Sequence, residues 1–155
     1  MKILIISDSH GNIANLKHVM GFAKNIEAAA VIHCGDWDNV ESVNEVLSFE
    51  IPLYAVLGNA DIDLEVGEVL KFNAKKFSDN LLKFEFDGRK IAVIHDAKGL
   101  KELLHNLDVV FSGHWHSKEE KMIDFIKFVR PGALINDVNF AVYETANNKV
   151  EFIES

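Results

Sequence analysis

The stretch Ile3-Leu4-Ile5-Ile6-Ser7-Asp8-Ser9-His10 sets the pattern that organises the chain. An apolar, mostly β-branched run stops abruptly at a short polar segment. Such a run, closed by turn residues, reads as a strand buried on both faces. The same figure returns along the sequence. Ala30-Val31-Ile32 leads to Gly35-Asp36, and Tyr54-Ala55-Val56-Leu57 leads to Gly58-Asn59. Ile91-Ala92-Val93-Ile94 leads to His95, and Val109-Val110-Phe111 leads to Gly113-His114-Trp115-His116. In layered α/β folds, ligands collect at the carboxyl ends of the strands. Asp8, Asp36, Asn59 and the histidines 10, 95, 114 and 116 are therefore expected on one rim. They offer oxygen and nitrogen donors for hard or borderline divalent cations, with no thiolate among them. The pattern implies a metal enzyme.

The segments between the runs complete a layered fold. Asn12 is placed to cap a helix from Ile13 to Asn25, whose Ile13, Leu16, Val19, Met20 and Ala23 recur at helical spacing. Asn39 caps a second helix with Val40, Val43, Val46 and Leu47 inward. Pro52 stands at the start of the third strand, where its missing N–H is tolerated. The first sixty residues thus read β-α-β-α-β, with parallel strands and right-handed crossovers. Beyond them, Asp87-Gly88-Arg89 signals a hairpin between Leu81–Phe86 and Lys90–His95. A short helix is expected over Gly99–Asn106 and a strand over Asp108–Ser112. From Lys121 onward, short strands alternate with turns, with Asn147-Asn148 between the last two. The stretch from Asp61 to Asp79 has the weakest pattern and reads as a loop over the site. The whole is an α/β chain of two packed sheets with helices on the outer faces, without linker, repeat or low-complexity tract.

Composition narrows the classes. A chain of 155 residues with 48% hydrophobic and 26% charged residues can bury one sizeable core, which excludes disorder. The formal net charge is −8, and no basic block is present, so no stable nucleic-acid complex is expected. The single Cys34 excludes an intrachain disulfide. No apolar stretch approaches the ~20 residues of a membrane span, and the run after Met1-Lys2 is too short for a signal core. A cytoplasmic protein without membrane contact is expected.

The segments Asp-x-His at 8 and 10, Gly-Asp at 35 and 36, Gly-Asn at 58 and 59, His95, and Gly-His-x-His at 113–116 fall in one order over nearly the whole chain. In that order they resemble the calcineurin-like metallophosphoesterase superfamily, and most closely its small stand-alone phosphodiesterase branch. The resemblance implies a single domain over residues 1–155 and a four-layer αββα sandwich of two mixed sheets flanked by helices. It implies two divalent ions per chain, with Mn²⁺ foremost and Fe, Ni²⁺ or Zn²⁺ also suited to mixed donors. Asp8, His10, Asp36 and His116 would hold one ion. Asp36, Asn59, His95 and His114 would hold the second, with Asp36 bridging. Two ions ~3.5–4 Å apart clamp a phosphoryl group and activate a water, so Asp36, His10 and His114 are expected to take part in catalysis. The implied function is a metal-dependent phosphoesterase acting on a small phosphate ester, a phosphodiesterase before a phosphomonoesterase. The alternative is a non-catalytic scaffold of the same fold, like a retromer subunit. Such a scaffold can lose histidine donors, and this chain has all of them. Homo-oligomerisation is left open.

The chain departs from the family pattern at four places. Ala60 follows Gly58-Asn59 where histidine is common, Asp96 follows His95 where glycine is usual, and Trp115 replaces threonine. The family's Asn-Pro-Gly-Ser stretch appears as Arg130-Pro131-Gly132-Ala133. Trp37 and Trp115 flank the rim and either stack on a substrate ring or pack the loops. Arg130 and Lys118 are the basic candidates for a substrate. Asp61 and His33 are expected behind the donors, orienting them. Asp38, Asp61, Asp63 and Asp96 make the rim acidic, which opposes an anionic substrate until cations offset it.

Overall fold

In the computed structural model, which describes residues 1–98, 100 and 105–155, two sheets pack face to face. The chain opens with strand β1 (Lys2–Ile6), helix α1 (Ile13–Asn25), β2 (Ala30–His33), α2 (Val40–Leu47) and β3 (Leu53–Val56). Next come α3 (Leu64–Asn73), β4 (Lys76–Ser78) and the hairpin β5 (Leu82–Phe86) and β6 (Arg89–Val93). The chain closes with β7 (Val109–Phe111), β8 (Lys118–Ile123), β9 (Ile126–Pro131), β10 (Asn139–Glu144) and β11 (Lys149–Glu154). The first sheet has the order β11-β10-β1-β2-β3-β4, and the second β5-β6-β7-β9-β8. β1 to β4 run parallel, while β10 and β11 join antiparallel, so both sheets are mixed.

The two-residue period of a strand explains the layers. On β1, Leu4 and Ile6 face the helices and pack with Leu16, Met20, Val43, Val66 and Leu70. Ile3 and Ile5 face the other way, against Phe84, Ile91, Val93 and Phe111 of the second sheet. β1 is therefore apolar on both sides, as the opening run requires. Burying one such aliphatic side chain stabilises the fold by ~1.5–3 kcal/mol. A smaller apolar cluster of Ala92, Ile94, Leu100, Val110 and Ile126 lies on the outer side of the second sheet. The helix expected over Gly99–Asn106 falls mostly outside the described residues.

Both capping asparagines stand where the sequence places them. The Asn12 side chain accepts from the Asn15 N–H, and the Asn39 side chain from the Ser42 N–H. The expected loop over Asp61–Asp79 is instead a helix and an edge strand, α3 and β4. Asp63 caps α3 by accepting from the Glu65 N–H. The helix buries only Val66 and Leu70, while Leu64 and Phe72 are exposed, so its apolar residues do not trace one stripe. β8 begins at Lys118, three residues before the expected boundary.

Replacing Asn39 with alanine removes the acceptor for both the Ser42 N–H and the Ser42 hydroxyl. A loss of about 1 kcal/mol of stability is expected, with an unchanged urea m-value. Equilibrium urea denaturation measures both.

Candidate metal centre

The donors converge because the chain coils as soon as each strand ends. β1 and β2 pair in parallel up to Ile6 and His33. The Asp8 N–H then donates to Gly35 O, and the His10 N–H to Asp36 O, each at 3.0 Å. To make these bonds, Asp8 and His10 adopt left-handed backbone with φ of 53° and 43°. Asp36, His114 and His116 do the same, at 64°, 74° and 60°. Non-glycine residues rarely hold this region and pay of order 1–3 kcal/mol each for it. Asp8 and His10, like His114 and His116, therefore do not lie on the extended backbone that a pair two residues apart after a strand suggests. They meet through the coil that the cross-loop hydrogen bonds impose.

Two glycines admit the carboxylates. A Cβ on Gly58 would sit 2.1 Å from Asp36 Oδ1, and one on Gly113 would sit 2.4 Å from Asp8 Oδ2. No side chain fits at either place.

The donor atoms of Asp8, His10, Asp36 and His116 all lie within 4.8 Å of one another. Asp36 Oδ2 stands 3.3 Å from His10 Nε2 and 3.2 Å from His95 Nε2. On the far side, Asn59 Oδ1 stands 2.9 Å from His95 Nε2 and 3.1 Å from His114 Nδ1. All seven sequence-expected donors thus form one continuous cluster, with Asp36 between its halves.

The groups behind the donors decide which way the lone pairs point. His95 Nδ1 lies 2.8 Å from Cys34 O, which only accepts, so Nδ1 carries the hydrogen. Burial pulls the His95 pKa down, but the hydrogen bond to Asp36, the Cys34 carbonyl and the nearby carboxylates raise it, so the protonated ring donates from Nε2 to Asp36. Once that proton leaves, Nε2 turns a lone pair toward Asp36 and Asn59. His10 repeats this arrangement, with Nδ1 3.1 Å from Asp38 Oδ1. Its Nε2 and Asp8 Oδ1 are buried without a hydrogen-bond partner among the described residues. Lone pairs facing lone pairs across a buried gap suit a cation, and this donor set fits divalent metal.

Asp61 accepts from the N–H groups of Asp36, Trp37, Asp38 and Gly58, and so ties the second and third strand ends together. Burial pushes its carboxyl up despite these four donors. Burial likewise pushes Asp8 up, against hydrogen bonds from the Ser7 hydroxyl and the His114 N–H. For Asp36 burial also pulls upward, but the His95 hydrogen bond, the Ala60 N–H and the nearby imidazoles prevail and hold it well below the usual carboxylate range. Burial pushes the Cys34 thiol well up, which leaves it inert. His33 is fully buried, stacks on Trp37 at 3.6 Å, accepts from the Gly35 N–H and contacts Ser9 Oγ at 3.0 Å. Both His33 and Asp61 brace the loops that carry the donor side chains.

The family model for the calcineurin-like phosphoesterase superfamily domain matches residues 1–148. The chain belongs to this superfamily. It is 28% identical over 140 residues to a phosphodiesterase of Methanocaldococcus jannaschii, covering 85% of this chain and 83% of that one. The solved structure of an archaeal phosphodiesterase superposes with a TM-score of 0.89 at 24% identity, over the whole of both chains. A zinc-complexed Vps29 from Entamoeba histolytica superposes with a TM-score of 0.64 at 16% identity, covering 99% of each chain. The phosphodiesterase relatives fit this chain better than the scaffold alternative.

The substrate candidates separate. Trp37 is fully buried and donates from Nε1 to Val56 O, so it packs the loops. Trp115 is 48% exposed, edge-on to His114. Arg130 holds Ser117 O and Ser117 Oγ, each at 3.0 Å, and Lys118 pairs with Glu154. Asp38 and Ser7 were missed as orienting groups. The signal for Asp38 was present, a carboxylate two residues beyond Asp36, but only the fold reveals that it reaches back to His10.

Two outcomes are expected here. Replacing Asp38 with alanine frees the His10 ring and weakens divalent-metal binding about 10–100-fold, read by competition with a chelating dye. His33 is the second case. Burial, the charges of His95 and His10, and only partial compensation from Asp36 lower its pKa to about 3. Its unfolded value is ~6.5, so between these values the unfolded chain takes up a proton that the folded chain refuses. Stability falls as pH falls through that window, by up to ~1.4 kcal/mol per pH unit from this group. His33→Gln should flatten the dependence of stability on pH between 4 and 6, measured by urea unfolding in chelator.

Proposed function

We propose that this phosphoesterase is a phosphodiesterase that works with two divalent ions, Mn²⁺ foremost, held by Asp8, His10, Asp36 and His116 on one side and by Asp36, Asn59, His95 and His114 on the other. One observation carries the reading. Asp36 Oδ2 lies between two imidazole nitrogens, His10 Nε2 at 3.3 Å and His95 Nε2 at 3.2 Å, whose opposite ring nitrogens face fixed acceptors. When bound, a pair of such ions clamps a phosphoryl group and lowers the pKa of a water.

The residues of the chain then set what it can cleave. The Ala60 N–H donates to Asp36 Oδ1 at 2.9 Å, and its methyl side chain offers no proton to a leaving oxygen. Esters whose alcohols leave as stable anions are favoured. Asp38 and Asp96 remain partly exposed beside the donors and disfavour the second charge of a monoester dianion. This supports diesters over monoesters. A single buried cysteine agrees with a reducing cytoplasm, and among the described residues no helix is long and apolar enough to cross a membrane.

Exhaustive chelation should abolish hydrolysis of bis(p-nitrophenyl) phosphate, and added Mn²⁺ should restore it. Asp36→Asn keeps an oxygen but loses the charge between the two donor sets. It should fold, bind fewer than two ions per chain by elemental analysis and lose most activity. Two bound ions with near wild-type turnover would refute the bridging assignment.

A further inference from the structure

A cavity of about 720 Å³ opens beside the donor cluster. It shares a wall with the cluster, because Asp96 and Trp115 line it and flank the donors His95 and His114 in sequence. Asp96 Oδ2 is 4.0 Å from His114 Nε2, so this wall reaches the donors in space as well. Ile126 and Phe128 of β9 form an apolar side, and the partly exposed Ile123 of β8 lines it as well. The volume lies in the range of small-molecule sites, ~300–1,000 Å³.

Its chemistry is selective. Trp115 is 48% exposed, whereas Trp37 is fully buried, so among the described residues about half of the Trp115 surface is open to a stacking partner. Lys98 Nζ lies 4.4 Å from the centroid of the Trp115 ring system, a cation–π contact that steadies the indole. The charged lining balances. Lys98, Lys121 and Arg130 stand against Asp96, Glu119 and Asp124. Glu119 pairs with Lys121 at 3.2 Å and with Arg130 at 3.5 Å, so these cations are already engaged. A balanced, partly apolar cavity with a partly open aromatic face takes a flat neutral ring and not a second phosphate.

Building on the phosphodiesterase reading, we propose that this cavity selects substrates by binding an uncharged, nucleoside-sized aromatic arm of the diester while the phosphate meets the donor cluster. Trp115 is the specificity residue.

The test holds the leaving group constant. Two diesters share p-nitrophenolate and differ in the retained arm, thymidine in one and methyl in the other. Stacking on an aromatic side chain predicts at least a tenfold higher kcat/KM for the thymidine ester, mostly through KM. Trp115→Ala should bring the ratio of the two esters close to one, and Trp115→Phe, which keeps a ring, should recover much of it. Ile123→Trp, in the lining and remote from the donors in sequence, should also reduce the ratio by narrowing the cavity. A ratio unchanged by Trp115→Ala, or a wild-type ratio near one, overturns the proposal. Thymidine 5′-monophosphate provides a reading independent of turnover. Its saturable quenching of tryptophan fluorescence should vanish in Trp115→Phe, because the remaining Trp37 is buried. Quenching without hydrolysis of any ester would sink the phosphodiesterase reading and keep the cavity. Hydrolysis with a flat ratio and no quenching would do the reverse.

Discussion

Lone pairs that face one another across a buried gap are the constraint around which this molecule is arranged. Cys34 O and Asp38 Oδ1 fix the hydrogens of His95 and His10 on their outer nitrogens. Their inner nitrogens must then confront Asp36, and Asp8 lies just beyond. A buried polar atom left unpaired costs ~1–3 kcal/mol, more when charged. Among the described residues, Asp8 Oδ1 and His10 Nε2 are in that position. Without a cation the cluster destabilises the fold, and with one the same atoms become ligands. The large apolar core on both faces of β1 supplies the stability that tolerates this arrangement.

The strained backbone belongs to the same constraint. Five donors hold positive φ although none is glycine. Glycine is used where the backbone must approach a carboxylate, at Gly58 and Gly113. Side chains are kept where a donor is needed, and removed where one would collide with a donor. Asp61 makes this affordable by gathering four N–H groups from two strand ends onto one carboxylate. It thereby locks the turn containing Asp36 to the turn containing Asn59.

How much of this was legible depended on whether the signal was local. α1 was readable to its boundaries and α2 at its start, because Asn12 and Asn39 announce each helix and the apolar stripes are regular. β1, β2, β3, β6 and β7 were readable as apolar runs, and the convergence of the donors followed from their place after those runs. α3 was not, since its exposed Leu64 and Phe72 blur the stripe formed by Val66 and Leu70. β4, a three-residue edge strand, is too short to carry a pattern. The pairing of β10 with β1, which returns the end of the chain to its beginning, is non-local. The coil at the donors is not legible, because left-handed φ at aspartate and histidine has no signature in sequence. It is imposed by bonds between loops more than twenty residues apart.

The acidic rim, which in the sequence opposes a phosphate ester, changes meaning in the structure. Asp61 is spent on backbone N–H groups, Asp63 on the start of α3, and Asp38 on His10. Asp96 accepts from the Lys98 N–H and faces His114. Asp61 and Asp63 are thus committed within the fold, whereas Asp38 and Asp96, though paired, stay partly exposed and still weigh against a second negative charge on an ester. A carboxylate behind an imidazole also raises the basicity of the opposite nitrogen, strengthening its hold on a cation. Part of the negative charge that would repel a phosphate instead secures the positive charge that attracts it. Net charge read from composition cannot separate these two roles, because their difference lies in which atom each oxygen touches.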